Sequence, residues 1–113
     1  MNTSLLIGVE EYADPQIRAV PFAGADARGL AAALAQLGIG EAKRDLLVDA
    51  QATKTIVESR VRQAIRSLSA DDTLYLYYAG HGYSKDGRGF LTCHDTQLAD
   101  LEATSIALDW LLG

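Results

Sequence analysis

Apolar residues fall in short blocks along the chain, and the spacing inside each block predicts an element. Thr3 to Val9 (TSLLIGV) is a continuous apolar run stopped by EEYADP, a buried strand leaving into a loop. Ala23 to Gly40 (AGADARGLAAALAQLGIG) is rich in Ala and Leu. Leu30, Leu34 and Leu37 sit at helical spacing there, and Gly38 is the predicted stop. RDLLVD (Arg44 to Asp49) predicts a second short strand. Ala52 to Ser69 predicts an amphipathic helix, with Ile56, Val57, Val61, Ile65 and Leu68 as its inner stripe and Thr53 or Thr55 as its cap. DDTLYLYY leads into a third strand, whose unbroken apolar character predicts a central parallel strand covered on both faces. After it come a histidine turn, a polar Gly-rich loop (SKDGRG), a short strand (FLTC) and a last helix (ATSIALDWLLG) capped by Thr104 or Ser105.

Strand and helix alternate with short links, which implies a three-layer α/β/α sandwich around a mostly parallel sheet. There is no internal repeat and no low-complexity linker. The sequence stops one to two turns into the last helix, and Trp110, Leu111 and Leu112 need something to pack against. The chain therefore reads as interrupted, with a sheet edge and half a core left open. Such an edge predicts marginal stability or self-association.

Composition narrows the function classes. The 113 residues suit one domain, and 49% hydrophobic with 22% charged residues is ordinary globular composition. A net charge of −5 argues against a nucleic-acid partner, where a basic face is expected, and gives no attraction to an anionic membrane. No run approaches the ~18 apolar residues of a membrane helix. The N-terminus lacks the basic region of a signal peptide. Cys93 is the single cysteine, so no intrachain disulfide can form. These features fit a reducing cytoplasm.

The candidate chemistry sits at His81. It follows the third strand directly, at the carboxyl edge where open parallel sheets bind ligands. Gly80 and Gly82 leave the imidazole reachable and let a substrate approach the backbone. A histidine there can take a proton from a thiol or protonate a leaving amine near neutral pH. The Gly82 N–H could hold a developing oxyanion. Taken alone, the same Gly-His-Gly also suits a histidine that merely fills a tight turn.

Four segments, LLIGVEEY, PFAGADARGLAAAL, LYLYYAGHGYS and GRGFLTCHDTQLADLEATSIALDWLL, occur in that order. Together they resemble the large-subunit half of caspase-like cysteine peptidases, in particular the metacaspase-like bacterial branch. The resemblance runs from Leu5 to Leu112. It implies that His81 is the catalytic histidine, that Gly82 contributes its N–H to an oxyanion hole, and that Asp26 lines a pocket for a basic P1 side chain. The plain reading of Asp26 is an acid favoured by a helix N-terminus. Pro21 stands where true caspases place an arginine for P1 aspartate, although Arg18 and Arg28 flank the segment. Ala79 replaces a serine of some metacaspases. Asp86, Asp95 and Asp100 are too scattered for a calcium site, so no metal or cofactor is expected.

A thiolate nucleophile must share the cleft with the histidine. Cys93 ends a different strand and reads as a small buried hydrophobe. His94 beside it reads as a turn histidine, and two adjacent ligands without a second pair make a poor metal site. The family resemblance places the nucleophile, as Asp-x-Cys, about 50 residues past the histidine, near ~130. Residues 1–113 are thus expected to be a partial peptidase domain that ends before its nucleophile strand. The expected substrate is a peptide or protein, and an attached regulatory domain is compatible. Two other classes remain: a non-catalytic caspase-like binding module, and a nucleotide-binding α/β domain suggested by Gly38, Gly40, Gly80 and Gly82. The nucleotide reading lacks a Gly-rich fingerprint after the first strand.

Overall fold

A computed structural model describes residues 2–38 and 43–112. Gly40 and Gly113 lie outside the described residues. Three strands, β1 (Asn2–Gly8), β2 (Lys43–Val48) and β3 (Thr73–Ala79), form a parallel sheet in the order β2-β1-β3. Leu6 of β1 lies level with Leu46 and Tyr77. β1 is buried on both faces, as its run of Leu5, Leu6 and Ile7 requires.

The helices α1 (Ala23–Leu37) and α2 (Lys54–Arg66) cover opposite faces of this sheet. Leu5 and Ile7 share a core with Val57 and Val61 of α2. Gly8, one residue out of phase, meets Ala23 and Ala27 of α1 so closely that a Cβ would lie 2.7 Å from the Ala23 carbonyl oxygen. That alternation makes the three layers. Both predicted signals at the helix ends hold. Gly38 closes α1 at φ 71, and the Thr53 hydroxyl caps α2 by accepting from the Ile56 N–H at 3.4 Å.

Packing departs from the predicted stripes. In α1 the buried positions are Ala23, Gly24 and Ala27, while Leu37 is exposed and Leu30 and Leu34 are half-buried. Small residues win there because the helix start presses against β1. In α2, Val57, Val61 and Ala64 are buried, and Ile65 is exposed.

Three local expectations change. β3 lies at the edge of the described sheet, beside β1 alone, with Tyr75 and Leu76 exposed. A continuous apolar run records what a strand can bury, not how many neighbours it has. SKDGRG is no open loop. It is the turn of a hairpin between β4 (Gly82–Lys85) and β5 (Arg88–Thr92). Asp86 and Gly87 take φ 53 and 77, the left-handed pair that a two-residue hairpin turn needs. The segment predicted to open the last helix instead begins with β6 (Ser105–Ala107), and α3 (Leu108–Leu112) follows it. β-branched Ile106 pairs with Leu91 in a second, antiparallel sheet of order β4-β5-β6. Trp110 rests under Arg62 of α2 at 5.9 Å, and Leu111 faces the apolar core.

Candidate active site around His81

β3 and β1 end together, and the Val9 N–H donates to the Ala79 carbonyl at 2.8 Å. The chain after β1 then crosses the carboxyl edge of the sheet. This brings Arg18 over the turn that carries His81. The imidazole Nε2 lies 2.8 Å from the Arg18 carbonyl oxygen. A carbonyl oxygen can only accept, so Nε2 carries the hydrogen. Nδ1 keeps its lone pair and is the basic atom of the ring.

Below the imidazole lies a hydroxyl cluster. The His81 N–H donates to Tyr12 Oη at 3.0 Å, and Tyr12 Oη sits 2.7 Å from Thr92 Oγ1. The Thr92 hydroxyl donates to the His81 carbonyl at 2.7 Å, and the Thr92 N–H donates to it at 3.0 Å. The half-buried Tyr78 hydroxyl donates to the Thr92 carbonyl at 2.7 Å. Burial pushes the Tyr78 phenol well above its ordinary range, which keeps it a donor.

This cluster explains one of the two glycines. A Cβ on Gly80 would collide with the Tyr78 hydroxyl and crowd Tyr12 Oη at 3.2 Å. Neither Gly80 nor Gly82 takes a positive φ. Gly80 is needed for space and not for backbone freedom. A Cβ on Gly82 would meet nothing closer than the Phe90 carbonyl at 3.5 Å, an ordinary contact. Gly82 therefore leaves open surface beside the imidazole. It pairs with Leu91 in the hairpin. The neighbouring hydrogen-bonded position is His81 opposite Thr92, so ladder alternation turns the Gly82 N–H away from β5.

Two open recesses flank His81. One, of about 560 Å³, is lined by Arg18, Ala19, Val20, Pro21 and His81. The other, of about 320 Å³, runs past Gly82 and Tyr83 to Ile17, Leu98 and Leu101. Asp14 ties the walls of the second together. Its carboxylate accepts from the Gln16 N–H at 3.0 Å and the Leu98 N–H at 2.7 Å. Those two bonds, Leu98 first, hold its pKa below the ordinary carboxylate value.

The other sequence candidates separate cleanly. His81 and Gly82 share the recess. Asp26 lies exposed in the first turn of α1 and lines neither recess. Cys93 is 2% exposed within the apolar core, and burial pushes its thiol up to about 12. His94 bonds the Glu11 carbonyl through Nδ1 at 2.7 Å, while its backbone bridges Ala13 and Ala52. It is a turn histidine. Among the described residues no group of three or more His, Cys, Asp or Glu could hold a metal ion. Likewise, no helix among them is long and apolar enough to cross a membrane. Tyr12, Tyr78, Thr92 and Asp14 were invisible as site residues, because tyrosines beside a strand and a threonine at a strand end are common. The usable signal was Tyr78 three residues before His81 with only a glycine and an alanine between them.

The comparisons agree with this geometry. Protein GSU0716 from Geobacter sulfurreducens, a solved structure, superposes with a TM-score of 0.77 at 23% identity. The match covers 99% of this chain and 44% of that one, so this chain spans less than half of that protein's length. No curated protein matches the sequence. The family model for the caspase domain matches residues 1–112. With the three-layer sandwich and the histidine at its carboxyl edge, that match shows that the chain belongs to the caspase domain family.

Proposed function

We propose that this chain supplies the histidine half of a cysteine endopeptidase whose nucleophilic cysteine lies beyond Gly113. The observation that carries the reading is the anchored imidazole. Nε2 is held on the Arg18 carbonyl, and the ring stands between two open recesses beside Gly82. In the reaction, Nδ1 takes the thiol proton and the thiolate attacks the scissile carbonyl carbon. The C–O π pair moves onto oxygen, and the Gly82 N–H holds that oxyanion. When the C–N bond breaks, the Nδ1–H protonates the leaving amine, and water then hydrolyses the thioester. Cys93 is excluded as the nucleophile by its burial and its raised pKa.

The P1 residue is Arg or Lys in this proposal, with Asp26 as the counter-charge. A second reading has its own observation. Arg18 lines both recesses, which favours an acidic side chain there. The protein substrates and a reducing cytoplasmic setting belong to the same proposal. So does the partial domain of residues 1–113, and the exposed edge of β3 would take a following strand or a second copy. The alternative is a binding module with the same cleft and no downstream cysteine.

The test uses the protein that contains this chain with whatever follows Gly113. Parallel assays with arginyl, lysyl and aspartyl peptides assign P1. Cleavage that His81→Ala lowers by about 10³-fold or more supports the dyad. Tight peptide binding with no cleavage, in a sequence without a further cysteine, supports the binding module.

A further inference from the structure

We propose that Tyr12 and Thr92, buttressed by Tyr78, are positioning residues that lock the His81–Gly82 peptide and so aim both the imidazole and the Gly82 N–H. This rests on the proposed peptidase reading. With the Thr92 hydroxyl hydrogen on the His81 carbonyl, the direction of the Tyr12 bonds follows. Thr92 Oγ1 gives its one hydrogen to the His81 carbonyl, so toward Tyr12 it can only accept. Tyr12 Oη therefore gives its hydrogen to Thr92 and accepts the His81 N–H. The chain of bonds leaves His81 at its N–H and returns to His81 at its carbonyl.

The Thr92 hydroxyl and N–H donate to the His81 carbonyl at 2.7 and 3.0 Å, and the Tyr78 hydroxyl lies 3.1 Å from the same oxygen. In a trans peptide the C=O and the next N–H point in opposite directions. Fixing the His81 carbonyl on Thr92 thus fixes the Gly82 N–H on the opposite, recess side. A flip of this peptide would forfeit both Thr92 bonds and leave the buried Thr92 N–H without its acceptor. The Tyr12 ring adds a side contact, 5.6 Å from the imidazole centroid. Gly80 is the residue that makes room for both tyrosine hydroxyls. An oxyanion donor is worth most when its direction is set before the reaction, and here side-chain hydroxyls set it.

The experiment compares Thr92→Val, Thr92→Ser and Tyr12→Phe in the protein that includes the residues after Gly113. One readout is kcat and KM on a cleaved peptide. The other is the ¹⁵N imidazole spectrum, where His94→Gln assigns the two histidines. Thr92→Val and Tyr12→Phe are expected to lower kcat about tenfold each, with KM within about twofold. Thr92→Ser restores kcat. The wild-type His81 ring is expected as the single Nε2–H tautomer, shifting to a mixture in Thr92→Val and Tyr12→Phe. Unchanged kcat and an unchanged tautomer in both variants would overturn the proposal. If Thr92→Val does not fold, Tyr12→Phe, which keeps the ring, decides alone. If no peptide is cleaved, the peptidase reading falls, and the tautomer readout still decides the lock.

Discussion

The two histidines of this chain share a local design and differ in what surrounds them. Each follows a strand, and each has one ring nitrogen on a backbone carbonyl, Arg18 for His81 at 2.8 Å and Glu11 for His94 at 2.7 Å. His94 lies between Ala13 and Ala52, beside a thiol buried in the core. Its backbone bonds are structural, and it lines neither of the two recesses that open on His81. His81 uses Nε2 for anchorage and leaves Nδ1 for chemistry, next to a Gly82 N–H that ladder alternation turns away from β5. The difference teaches that anchorage alone does not make a histidine a catalytic candidate. Open space and a free donor beside it make the distinction.

The sharpest way to break the comparison is to remove each ring. His81→Ala is expected to lower peptide cleavage by about 10³-fold or more, whereas His94→Ala leaves kcat within about twofold and lowers stability by about 1 kcal/mol. Kinetics and urea unfolding on both variants check it. Equal losses of kcat would erase the distinction.

Thiol reactivity is the next contrast. With the Cys93 pKa near 12, its thiolate is scarce at pH 7–8 and the core shields it. Native Cys93 is expected to react with an alkylating reagent about 10³-fold more slowly than an exposed cysteine, and at full rate in urea. Fast labelling of native Cys93 would reopen it as a nucleophile.

The two glycines beside His81 should respond differently. Gly80→Ala forces a methyl against Tyr78 and is expected to cost about 1–3 kcal/mol of stability. Gly82→Ala finds room and should change stability by under about 1 kcal/mol, while impeding substrate approach. Thermal midpoints and kcat/KM separate the two effects.

The smallest effect concerns the clamp across the second recess. The folded-state pKa of Asp14 is depressed by the N–H groups of Leu98 and Gln16. Its contribution to stability is therefore present above the unfolded value of ~3.9 and is lost as pH falls through the lower folded value. Asp14→Asn is expected to flatten the loss of stability as pH falls below about 4. A denaturant midpoint series across that range checks it, and an unchanged slope would remove the clamp from the account.

Local signals in the sequence translated well wherever one residue type has one physical use. Gly38 ends α1, Thr53 caps α2, and the Leu5–Leu6–Ile7 run fills the centre of the sheet. The Asp86–Gly87 turn was also legible, since Asp-Gly is a hairpin signal, yet SKDGRG looks like a loop when its flanks are short. Ser105–Ala107 looked helical because its neighbours Leu108 to Leu111 are, and only pairing with β5 makes it a strand. His81 and Gly82 stood out as candidates, while the groups that hold them did not.

By itself the sequence determined the layered α/β architecture, the position of the histidine at the end of an apolar strand, and the burial of Cys93. These follow from hydrophobic period and turn chemistry, which act over a few residues. Tertiary structure alone decided that β3 lies at the sheet edge, that Arg18 anchors His81, and that Tyr12 meets Thr92 across 80 positions of chain. The reason is physical. A hydrogen bond between distant residues leaves no period in the sequence, and it exists only once β1, β3 and β5 have brought their ends to the same edge.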